Sequence, residues 1–96
     1  NATSSMEFEA TRLRDLAGQM FLESVAMNYG VAREHSARLF ALAEEIAVKT
    51  SDPRLRDMLN GILKERDRIT AGLAEGKGAA QADIERLMRL VHGAAQ

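Results

Sequence analysis

Residues 47–59, AVKTSDPRLRDML, read as the end of one helix, a tight turn and the start of another. Asp52 is placed to accept a hydrogen bond from the free N–H groups of the second helix, and Pro53 suits the first helical position, where a missing N–H costs nothing. Upstream, His35, Leu39, Leu42, Ala43 and Ile46 recur every three or four residues, the period that gathers side chains on one helix face. Downstream, Leu55, Leu59, Ile62, Ile69 and Leu73 repeat the pattern. Two amphipathic arms covering residues 31–73, joined by the turn at 50–53, therefore fold back on one another as a helical hairpin.

Working outward toward the N-terminus, residues 6–28 carry Leu13, Leu16, Ala17, Met20, Ala26 and Met27 at helical spacing, which predicts a helix of about six turns. Ser4 and Glu7 have the spacing of a capping box. Phe21, Leu22 and Val25 fall off the main stripe, so this helix is apolar on more than one face and calls for a second partner surface. At Asn28-Tyr29-Gly30 two readings stay open. Asn and Gly are common helix terminators. Against a break, no Ser, Thr, Asp or Asn among residues 31–33 caps a new helix, and apolar positions continue in phase at eleven-residue intervals (Met20, Val31, Leu42). A continuous helix over residues 5–49 would be roughly 65 Å long; the sequence leans instead to a bend or short turn at Gly30.

Toward the C-terminus, one helix over residues 54–75 is expected to end at a flexible connection, Gly76-Lys77-Gly78. Gly61 and Gly72 lie inside it, each costing about 1 kcal/mol against alanine, so a neighbouring helix is expected to cross closely there. A last helix over residues 80–92 presents Ile84, Leu87, Met88 and Val91 on one face and stops at Gly93. It is too short to be stable alone and must dock.

Composition agrees with an all-α protein. Of the 46% apolar residues in this 96-residue chain, sixteen are alanine and only four are aromatic, so the core is thin and helices can approach closely. The thirteen basic and fourteen acidic residues alternate along the chain, leaving a net charge of −1 and no basic stripe of the kind nucleic acid requires. No apolar run approaches the roughly 18 residues of a membrane span and no charged-then-apolar leader opens the chain, which predicts a cytoplasmic protein. Residues 1–5, ahead of Met6, read as a cloning remnant, and the domain as residues 6–96. Ten arginines against three lysines, with abundant alanine, point to a GC-rich bacterial genome.

Chemistry-bearing motifs are sparse. There is no cysteine, so thiolate nucleophiles and thiolate metal ligands are absent. Glu-x-x-His metal motifs fail, because Ala32 and Arg89 stand three residues before His35 and His92. A metal site assembled from His35 and carboxylates of other helices, such as Glu23 or Glu44, stays open. His35 as a phospho-accepting histidine, with Arg38 one turn on, lacks the lysine and glycine that usually follow such a residue and lies on the apolar stripe. His35 and Ser36 are neighbours on different faces, unsuited to nucleophilic catalysis. Acid-first pairs at Glu34/Arg38, Glu45/Lys49, Asp52/Arg56 and Glu85/Arg89, and the run Lys64 to Arg68, mark outward faces.

These readings combine into an all-α, antiparallel bundle of three to four helices, completed by dimerisation. The expected function is non-enzymatic association, with no metal and no cofactor. The expected partner is a second copy or another protein, and neither nucleic acid nor membrane. The candidate association face is Leu13, Leu16, Met20, Phe21, Val25, Met27 and Val31, and His35 is the candidate pocket or switch residue. An alternative is a ligand-binding or sensory bundle in which Met20, Met27, Tyr29 and His35 line an interhelical pocket; a weaker one is histidine phosphotransfer.

Overall fold

The computed structural model describes residues 2–94, with side chains from Phe8 onward; the Ser4/Glu7 capping box lies outside the described side chains. Five helices follow in order: α1 Ala2–Val25, α2 Tyr29–Lys49, α3 Pro53–Leu63, α4 Arg66–Glu75 and α5 Gln81–Ala94. There is no strand among the described residues. α1 packs on α2 and α5, α2 also on α3 and α4, and α3 and α4 on α5. The chain thus closes four legs, the third of them bent, into one ring around a shared core. Its radius of gyration, 12.9 Å, matches the ~13 Å of a compact domain of about 100 residues.

The hairpin turn forms as its residues dictate. Asp52 Oδ1 accepts from the Arg54 N–H at 3.0 Å and Pro53 occupies the first helical position of α3. Thr50, buried, accepts the Asp52 N–H on its hydroxyl at 3.1 Å. The expected Asp52/Arg56 ion pair does not form, because that carboxylate is spent on the cap. Arg56 instead turns back to the end of α2, donating to the carbonyls of Ala47 and Thr50, which the helix itself leaves open.

The α1–α2 junction corrects the bend expected at Gly30 and overturns the continuous helix. The break comes three residues earlier, with Met27 in the left-handed conformation (φ 62°). The Asn28 N–H donates to the Glu23 carbonyl at 2.7 Å and the Met27 N–H to the Ser24 carbonyl at 3.0 Å, the bond pair of a Schellman cap. Methionine therefore stands where glycine is usual, and Gly30 is an ordinary residue of the first turn of α2. In-phase apolar spacing across the junction carried no information, because a three-residue turn re-sets the phase.

The expected single helix over residues 54–75 is two. α3 ends at Leu63, and the Glu65 N–H bonds the Ile62 carbonyl before α4 begins. The bend lets Leu59 and Ile62 on one side of it, and Ile69 and Leu73 on the other, all be buried. The 76–78 connection is a built turn: Gly76, Lys77 and Gly78 are all left-handed (φ 74°, 57° and 77°), and the Gly76 N–H caps the Gly72 carbonyl at 3.0 Å. α5 runs on through Gly93 to Ala94.

Of the two interior glycines, only Gly72 meets a close neighbour. A Cβ there would lie 2.8 Å from the Ala80 Cβ and 3.0 Å from its Cα, whereas nothing stands within 4 Å of one at Gly61. Gly72→Ala is expected to destabilise by about 1–2 kcal/mol, overpacking outweighing the gain in helix propensity. Gly61→Ala is expected to stabilise by up to about 1 kcal/mol. Urea unfolding of the two variants checks the contrast; shifts of the same sign would refute the packing account. Nothing in the structure explains a glycine at position 61.

Candidate functional site

Three positions on α1 point away from every other helix. Taking Leu13, Leu16, Ala17 and Met20 as the buried stripe, Phe8, Asp15 and Leu22 follow at seven-residue intervals on the opposite side. Phe8 is 70% exposed and Leu22 67%; Val25, on the same outer side, and Met27, at the corner, are also exposed. Between the two apolar ends lies Gly18, around which nothing stands within 4 Å of an added Cβ.

The candidate association face of the sequence is thus divided by the fold. Leu13, Leu16 and Met20 are buried in the chain's own core, Phe21 and Val31 are half-buried against it or beside it, and only Val25 and Met27 are open to solvent. The physical reason is that α5 docks beside α1, as α2 does on its other side, and together they cover the main stripe. What remains exposed is the off-stripe surplus, to which Phe8 and Leu22 belong.

His35 sits in the second turn of α2, and the Schellman cap brings Glu23, one turn from the end of α1, beside it. His35 Nδ1 and Glu23 Oε1 are 2.6 Å apart, with both side chains more than four-fifths buried. With the proton on Nδ1 the imidazole donates to the carboxylate and ties α1 to α2. Glu44 is elsewhere, paired with Arg66 across the α2–α4 gap at 3.6 Å. Among the described residues no three His, Cys, Asp or Glu side chains converge to hold a metal ion. Ser36, on the neighbouring face, is buried.

Two further polar contacts, neither anticipated from sequence, pin the same corner to the α4–α5 turn. Buried Ser24 donates through Oγ to Gln81 Oε1 at 3.1 Å, and the Tyr29 hydroxyl accepts the Gly78 N–H at 3.0 Å. The Tyr29 ring also lies against Gly76, where a Cβ would sit 3.3 Å from ring carbons. Contacts 49 and 57 residues apart leave no periodic trace in a sequence. The four residues of the ligand-pocket alternative are therefore differently employed: Met20 in the core, Met27 in solvent, Tyr29 on the turn and His35 on Glu23.

Charged groups elsewhere form a surface network. Arg86 lies 3.0 Å from Glu65 and 2.9 Å from Asp83, with Arg68 on the same two carboxylates, clipping α4 to α5. The hydrogen bond that Arg86 donates to Glu65, then that to Asp83, raises the pKa of its guanidinium above the ordinary range. Lys49 is raised in the same way, chiefly by its hydrogen bond with Glu45. The Glu45/Lys49 pair is the one of the four acid-first pairs that forms among the described residues. No described helix is long and apolar enough to cross a membrane. Compared with family models, with curated proteins and with solved structures, the chain finds no match.

Proposed function

We propose that the chain is a non-enzymatic association module whose partner is a second copy, seated on the outer face of α1. The observation that carries this reading is the exposure of Phe8, Leu22 and Val25 on one side of a single helix, with Met27 beside them. Antiparallel pairing suits their spacing. A two-fold axis near the middle of α1 sets Phe8 of one copy against Leu22 and Val25 of the other, and the reverse, so both apolar ends are covered by one operation. Asp15 stands midway between Phe8 and Leu22, and Gly18, one turn on, has no side chain to hold two helices apart.

Met27 adds a second argument. A residue other than glycine in the left-handed region costs roughly 1–2 kcal/mol, and here it also holds an apolar side chain in water, 73% exposed. Glycine or asparagine would serve the turn at lower cost, so the methionine side chain is accounted for by what it contacts in the assembly. The near-zero net charge offers no general repulsion between copies.

Light scattering on a sizing column, over a hundredfold range of concentration, tests the reading. Twice the 10.5 kDa chain mass at the upper concentrations is the expected result. A monomer at every concentration overturns it.

A further inference from the structure

A hollow of about 430 Å³ lies between α1 and α5, on the side of α1 that faces away from α2. Its size falls within the roughly 300–1,000 Å³ typical of small-molecule sites. Ala17 and Val91, both buried, form the floor, with half-buried Met88 beside them. The polar part of the wall is Arg14, Arg89 and His92. Among the described residues no carboxylate lines the hollow, and neither Arg14 nor Arg89 makes an ion pair.

Arg66, Arg68 and Arg86 stand on carboxylates, whereas Arg12, Arg33, Arg38 and Arg54, like Arg14 and Arg89, make no ion pair among the described residues; what sets Arg14 and Arg89 apart is that both line one hollow with an apolar floor. Two guanidiniums without ion-pair partners therefore stand at the edge of an apolar floor. Guanidinium groups are suited to carboxylates, which they meet through two parallel N–H donors. Methionine at the edge supplies an adaptable apolar wall for a flexible chain.

We infer that the α1–α5 hollow binds a small anionic amphiphile, an alkyl carboxylate, with its tail on Ala17, Met88 and Val91 and its carboxylate between Arg14 and Arg89. The site borders the outer face of α1, Arg14 standing one turn before Gly18, and does not depend on pairing between copies.

Sodium decanoate, kept below its micellar range, is the probe, with 1-decanol as the uncharged control of equal chain length. Amide shifts in a two-dimensional NMR titration are expected to saturate at Ala17, Met88 and Val91, with decanol binding at least tenfold more weakly. Arg14→Gln with Arg89→Gln is expected to weaken decanoate at least tenfold while leaving the circular dichroism melt unchanged, since both side chains are exposed. Equal binding of decanoate and decanol to the parent chain overturns the inference without any variant. So do shifts that gather around Phe8 and Leu22 instead, unchanged affinity in the double variant, or a glutamate-rich peptide that occupies the hollow when decanoate does not.

Discussion

Phe40→Ala is expected to lower the free energy of unfolding by about 3–5 kcal/mol, as loss of a buried phenylalanine generally does. Phe40 is 2% exposed and is among the largest side chains of the core. It sits on α2 beneath the gap to α4, where Ala37, Ala41 and Thr70 line an open hollow of about 340 Å³ around it. Small neighbours of this kind have little to move into the space an alanine would leave, so the cavity term is expected near its full value. A domain of this length has a total stability of about 5–14 kcal/mol, and the loss corresponds to a fall of roughly 15–30 °C in Tm. Thermal unfolding by circular dichroism checks it. Phe8→Ala is the control: with its ring 70% exposed, it is expected to change the stability of the monomer by no more than about 0.5 kcal/mol. A loss below 1 kcal/mol at Phe40 would mean that α2 and α4 do not close over it.

The contrast between the two phenylalanines shows where sequence reading reached and where it stopped. Leu39, Ala43, Ile46, Leu59, Ile62, Ile69 and Leu73 were all legible as core from period alone, and all are buried. The Asp52-Pro53 turn was legible because its chemistry is local: a carboxylate two residues from the N–H it caps. Phe40 was not, because it neighbours the stripe and is covered only by α4, which approaches through the bend at 64–65. That bend carries no proline and no glycine, and tertiary packing alone places it.

At the α1–α2 corner the signals pointed to the wrong residue. Gly30 looked like the terminator, yet the cap falls on Met27, a position chosen by neither propensity nor spacing. Once the cap is in place, Glu23 meets His35 and Ser24 meets Gln81 as consequences of the turn. Glu23 could be named only as one of two carboxylates for a neighbouring helix to bring to a metal site with His35, and the 2.6 Å contact needed the three-residue turn to bring it there. Gly72 makes the complementary point. Its cost in a helix was legible as wanting a reason, but the close neighbour is Ala80 of the α4–α5 turn and not a crossing helix, while Gly61, at the identical cost, has none.

Leu22→Glu combined with Val25→Glu is expected to abolish pairing through α1, raising the dissociation constant at least a hundredfold, about 2.7 kcal/mol. The two side chains are 67% and 57% exposed in the single chain, so the substitutions remove no core contact and the monomer is expected to keep its helix content. In an antiparallel pair each change acts twice, because Leu22 and Val25 of either copy face Phe8 of the other. Each pair would then set four carboxylates against two phenyl rings, a cost that association cannot meet. Sedimentation equilibrium of parent and variant measures the shift. Phe8→Ala in the parent background separates pairing through this face from general stickiness: a weakening of at least tenfold is expected from a site 14 residues away from Leu22. A variant that dimerises as well as the parent would place the interface elsewhere and leave Leu22, Val25 and Met27 without a role in association.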